Sequence, residues 1–92
     1  MLIIRAFLTT LELLFAEVEH KLGNLPKAEW AIRQALRRKP SEHRYHYALA
    51  LILEEEGKSA EAAQEFQAEL AANPGNSDAR QRLQHALESQ PR

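Results

Sequence analysis

The stretch HYALALILEEEGKSAEAAQEFQAELAANP, residues 46–74, decides how the chain is read. His46, Leu49, Ala50 and Leu53 fall at the three-and-four spacing of one helix face. Gly57 breaks the pattern, Ala62 and Phe66 begin a second helical face, and Asn73-Pro74 stops it. Working outward, thirty-four residues separate Gly57 from Gly23, Ala62 from Ala28, Leu70 from Leu36 and Pro74 from Pro40. One register therefore covers most of the chain, and self-similarity at this period marks a stacked array of helical hairpins.

Composition narrows the function classes. At 92 residues the chain makes one small domain, which buries about 60 to 65% of its unfolded surface. The absence of cysteine excludes a disulfide staple, a thiolate nucleophile and a cysteine-ligated zinc or iron-sulfur site. With 45% apolar and 27% charged residues the chain has the apolar content of a folded protein. A net charge of -1 argues against nucleic acid or an acidic membrane as partner, because phosphate binding needs a concentrated cationic field. Residues 1–46 hold eight Lys/Arg against five Asp/Glu, and residues 47–92 four against eight. These halves, +3 and -4, are either ordinary solvated scatter or a source of head-to-tail attraction between copies.

Residues 2–22 contain neither Gly nor Pro. Ile4, Leu8, Leu11, Phe15, Val18 and Leu22 recur as a stripe that predicts the core face of one long helix, about 31 Å if unbroken. Gly23 ends it, Asn24 is placed to cap the next helix, and Pro26 suits a first helical turn. That second helix is expected to run to about Lys39 with Ala28, Ala31, Ile32, Ala35 and Leu36 inward, and Pro40 stops it. A third helix is expected from Ser41-Glu42 to Glu56 and a fourth from Ser59 to Ala72. Ser77-Asp78 opens a fifth, with Ala79, Leu83, Ala86 and Leu87 as its apolar stripe, and residues 89–92 are expected to fray. Arg5 and Glu12 interrupt the amino-terminal apolar run, so neither a signal peptide nor a membrane span is expected. The reading favours a cytoplasmic protein.

In these motifs and spacings the chain resembles the tetratricopeptide repeat family. The resemblance implies an all-α solenoid: an amino-terminal helix extension over 1–8, repeats over 9–42 and 43–76, a capping helix over 77–89 and a tail over 90–92, all in one domain. The first copy departs where Glu12 and Glu19 replace large apolar residues, and the second where Glu69 replaces a small one. The resemblance further implies a binding scaffold whose first helices line a concave groove for a peptide or partner helix. Carried over, that groove presents Thr10, Leu13, Glu17 and His20; Arg44, Tyr47, Leu51, Glu54 and Glu55; and Asp78, Gln81 and His85. The alternative at each is plain solvent exposure. The subfamily that clamps terminal carboxylates needs basic and amide side chains where this chain has Leu13, Glu17, Ala48, Asp78 and Arg82, and only Arg82 is suitable.

Other chemistry is sparse. His43 and His46 share a face, but no third ligand is placed by the sequence, so no metal is expected. Neither a nucleophile motif nor a phosphate loop occurs, so no cofactor and no enzyme activity are expected. Glu54, Glu55 and Glu56 close a helix whose carbonyls are already negative; they are a solvated run or a receiver for a cationic segment. Trp30 is a half-buried packing residue or an exposed anchor. Ile3, Phe7, Thr10 and Leu14 make a second apolar line on the first helix. Either the chain is a segment of a longer array, or a second copy covers that line, making a homodimer through Ile3, Phe7 and Leu14. The expected function is non-catalytic protein or peptide binding with self-association. The alternative is a structural oligomerisation module or array segment whose groove holds no ligand.

Overall fold

The computed structural model describes residues 2–89. The tail expected over 90–92 lies outside the described residues; of the stretch 89–92 expected to fray, Ser89 is described and caps the end of the last helix. Five helices follow in order: α1 Leu2–Lys21, α2 Leu25–Arg38, α3 His43–Glu55, α4 Ser59–Ala72 and α5 Ser77–Glu88. Among the described residues there is no strand. The chain forms two units that divide between Glu42 and His43. In the first, α1 packs on α2; in the second, α3 packs on α4 and α4 on α5.

The repeat register returns as repeated backbone geometry. Gly23 has φ 80° and Gly57 φ 79°, the left-handed conformation in which a Cβ is strained. In the first turn Gly23 N–H donates to His20 O at 3.0 Å and Asn24 N–H to Glu19 O at 2.8 Å. In the second, Gly57 N–H donates to Glu54 O at 3.0 Å and Lys58 N–H to Leu53 O at 2.9 Å. Both pairs close the last carbonyls of a helix in the Schellman pattern. The side chain of Asn24, expected as a cap, makes no capping hydrogen bond; its backbone carbonyl accepts the first helical bond, from Ala28 N–H at 3.0 Å. Asn76 does cap α5, its side chain accepting from Ala79 N–H at 3.0 Å.

Small residues set the closest approaches. Ala28, Ala31, Ile32 and Ala35 of α2 are buried as expected. In the second unit Tyr45, Leu49, Ala50, Ile52 and Leu53 of α3, with Ala62, Ala63 and Phe66 of α4, form the core, which Ala79 and Ala86 of α5 extend. Glu69 is buried among them, and the Nδ1 of His43 lies 2.6 Å from its carboxylate. That partner is what allows a carboxylate at a place suited to a small side chain.

The expectation for α1 is overturned. Ile4, Leu8, Leu11, Phe15, Val18 and Leu22, read as its core stripe, are all exposed. The covered face is Thr9, Glu12, Leu13, Ala16, Glu19 and His20, with Thr9 and Ala16 fully buried. Ala16 permits close approach, and Glu12 is held in an ion pair with Arg38 of α2.

Candidate functional site

Two surfaces stand out, one in each unit. On the first hairpin, the exposed α1 stripe merges with Ile3, Phe7 and Leu14, the residues expected to self-associate, and with Trp30 of α2, itself 58% exposed. Trp30 is thus the exposed aromatic of the two readings open for it. An open groove of about 660 Å³ runs between Leu8, Leu11, Leu14, Phe15, Val18 and Trp30, with Glu12, Glu19 and Arg38 as its polar members. Its size lies within the range of binding pockets, and its wall is mostly aliphatic and aromatic. One carboxylate oxygen of Glu19, Oε2, is covered and has no hydrogen-bond partner.

The second unit builds a polar surface from α3 and α5. Tyr47 packs edge-on against Phe66, ring centroids 6.1 Å apart at 61°, and its hydroxyl donates to the Asp78 carboxylate. Arg82 donates from Nε to Asp78 at 2.8 Å and from its terminal nitrogen to Glu54. The four side chains form a continuous chain of charge-assisted hydrogen bonds between the two helices. The hydrogen bonds from Tyr47 and then Arg82 lower the pKa of Asp78. Desolvation, followed by the Asp78 carboxylate, pushes the Tyr47 phenol up to about 12. Asp78, through its hydrogen bond, raises Arg82, which stays a cation. Glu54, Asp78, Gln81, Arg82 and His85 line an open cleft of about 430 Å³.

Of the expected groove residues, the structure therefore brings Glu54, Gln81 and His85 to one cleft, with Tyr47 joined to it through Asp78. Arg44 and Glu55 are exposed and Leu51 half-buried on α3. Leu13, Glu17 and His20 belong to α1, Glu17 exposed and the other two half-buried. Glu54, read as part of a solvated run or a receiver for a cationic segment, is here paired with Arg82, which Asp78 shares. Sequence reasoning missed the breadth of the α1 surface. The signal was present, since Ala16 aligns with the buried Ala50 across the register.

His43 and His46 do not meet over one site. His43 faces Glu69, and His46 Nδ1 lies 2.5 Å from Glu65, so both tie α3 to α4. Among the described residues no group of three or more His, Asp or Glu is placed to hold a metal ion. Among the same residues no helix is long and apolar enough to cross a membrane.

Paired helices with Gly turns at a fixed interval define a helical-hairpin repeat protein. The Tetratricopeptide repeat family model matches residues 13–77, and the chain belongs to that family, whose repeats generally mediate protein–protein interaction as non-catalytic modules. A comparison with curated proteins gives no match.

Proposed function

We propose that the chain is a non-catalytic protein-interaction module that self-associates through α1, in a homodimer, and holds a peptide or helix on its α3–α5 face. The observation that carries the reading is the exposure of Ile3, Phe7, Leu8, Leu11, Leu14, Phe15 and Trp30, of which Leu8, Leu11, Leu14, Phe15 and Trp30 line one groove. Large contiguous apolar patches on soluble proteins are interaction sites.

Trp30 is the sole tryptophan, so its fluorescence reports on this surface alone. If the surface is covered at high protein concentration, dilution from high to low micromolar shifts the emission to the red. Emission independent of concentration overturns self-association at this surface.

For the α3–α5 face, Tyr47 and Leu51 supply apolar contact beside Arg44, Glu55, Gln81 and His85, and a ligand with an apolar stripe fits them best. Arg82 offsets only one of the two carboxylates it meets, Glu54 and Asp78, so a net negative charge remains there and the affinity of a ligand carrying Lys or Arg falls as salt rises. Amide chemical-shift mapping of a captured partner tests this. Shifts at Tyr47, Leu51 and Gln81 support the face, and shifts confined to the surroundings of Trp30 assign the partner to the α1 surface instead.

A further inference from the structure

Phe15, Glu19 and Trp30 line the groove on the first hairpin and also a second hollow of about 400 Å³, which Pro26 and Lys27 complete. Phe15 and Glu19 stand in the last two turns of α1, and the other three in the first two turns of α2. Phe15 is 44% and Trp30 58% exposed, so two aromatic rings are open to solvent on either side of a carboxylate. That carboxylate is half served: Glu19 Oε2 is covered and has no hydrogen-bond partner among the described residues. A covered oxygen without a donor forfeits its hydration and gains nothing in return. Lys27, in the same lining, is exposed and leaves the oxygen without a donor. The groove's other carboxylate, Glu12, has a guanidinium for its partner, that of Arg38; Glu19 has no counterpart to it.

One kind of group satisfies all three side chains. It is planar, cationic and weakly hydrated, with several donors, and the arginine side chain meets that description better than the compact, strongly hydrated ammonium of lysine. A guanidinium stacks on an aromatic face while donating from its edge to a carboxylate. Rotation about the terminal torsion of a glutamate is soft, so the partly covered Glu19 carboxylate turns either oxygen to the hollow. We propose that this hollow takes the arginine side chain of a partner protein, its guanidinium against Phe15 and Trp30 and hydrogen-bonded to Glu19. Leu11, Leu14 and Val18 continue the wall next to it, so the segment that fits best carries aliphatic side chains beside that arginine. The site occupies one end of the surface proposed above for self-association and does not rest on that reading.

Trp30, the sole tryptophan, reports on the hollow through its emission. The native chain is titrated with an acetylated, amidated Leu-Arg-Leu peptide, and with the same peptide carrying citrulline, which keeps the shape of arginine and is neutral. The arginine peptide is expected to shift the emission saturably, and the citrulline peptide to bind about tenfold or more weakly, as the loss of a charge-assisted hydrogen bond requires. Glu19→Gln keeps the size of the side chain, removes its charge and is expected to erase that difference. Lys27→Met removes a cation from the rim and is expected to tighten the arginine peptide by about threefold or less. Equal binding of the arginine and citrulline peptides, or a lysine peptide as tight as the arginine one, overturns the assignment. So does binding seen only in Lys27→Met, which makes Lys27 the partner of Glu19. The titration is repeated on Phe7→Glu, in which a second copy is expected to be excluded from α1. A response in that chain alone supports the hollow and shows self-association closing it in the native protein; a response in neither overturns the hollow and leaves self-association to be judged by molar mass.

Discussion

The two copies of the repeat place the same positions in opposite environments. Thirty-four residues apart, Tyr45, Leu49 and Ile52 of α3 are 8%, 1% and 3% exposed, whereas Leu11, Phe15 and Val18 of α1 are 46%, 44% and 55% exposed. The residue types are alike and the helices are alike; only the cover differs. Apolar surface left in water forgoes about 25 cal/mol per Å². A helix with this stripe therefore retains a driving force for association that α3 has already used in folding.

The largest expected difference between the regions is in core truncation. Phe66→Ala removes a fully buried ring and is expected to destabilise by about 3–5 kcal/mol. Phe7→Ala, at a residue 62% exposed, is expected to change monomer stability by no more than about 0.5 kcal/mol. Urea unfolding at a concentration low enough to keep the chain monomeric measures both, and comparable losses break the contrast.

A middle-sized effect sharpens the account of buried charge. His43→Ala strands the Glu69 carboxylate and is expected to destabilise by about 1–3 kcal/mol. Glu69→Leu removes the charge and fills the space, and is expected to be near neutral. If Glu69→Leu destabilises more than His43→Ala, the pair is not merely a compensated burial.

The smallest effect is electrostatic and confined to the second unit. Asp78 has a lowered pKa in the fold, so its contribution to stability is present above the ordinary value of 3.8 and is lost as pH falls through the lowered one. Tyr47 has a raised pKa, so its contribution is present below the ordinary value of 10.0 and is lost as pH rises through about 12. Between those limits the network is at full strength. Phenolate absorbance, with Tyr47→Phe to assign the signal, is expected to place the Tyr47 midpoint near 12 and to bring it toward 10.0 in Asp78→Asn. A native midpoint near 10.0 removes the Tyr47–Asp78 bond from the account.

The fold was legible because it is written in spacing. The glycines at 23 and 57 take the left-handed φ that their places demand, and Ala28, Ala62 and Phe66 are buried where the register puts them. The facing of α1 was not legible from periodicity. A stripe of Ile, Leu, Phe and Val has the same period whether it meets its own chain or something outside it. Here Ala16 and the Glu12–Arg38 pair, not the largest apolar residues, mark the inner side. On the α3–α5 face, the convergence of Glu54, Gln81 and His85 on one cleft was legible from the register. The charge of that face was not, because the pairing of Arg82 with both Glu54 and Asp78 joins residues 28 and 4 apart in sequence and depends on how α3 and α5 meet.

The central claim is that the exposed α1 stripe is a contact surface, and the molar mass of native and Phe7→Glu protein tests it most directly. Light scattering at high micromolar concentration is expected to give about twice the 10.5 kDa chain mass for the native protein. The variant, which puts an unpaired charge into a desolvated contact, is expected to give the single-chain mass with unchanged helical circular dichroism. A native protein that stays at 10.5 kDa, or a Phe7→Glu variant that remains a dimer, contradicts it.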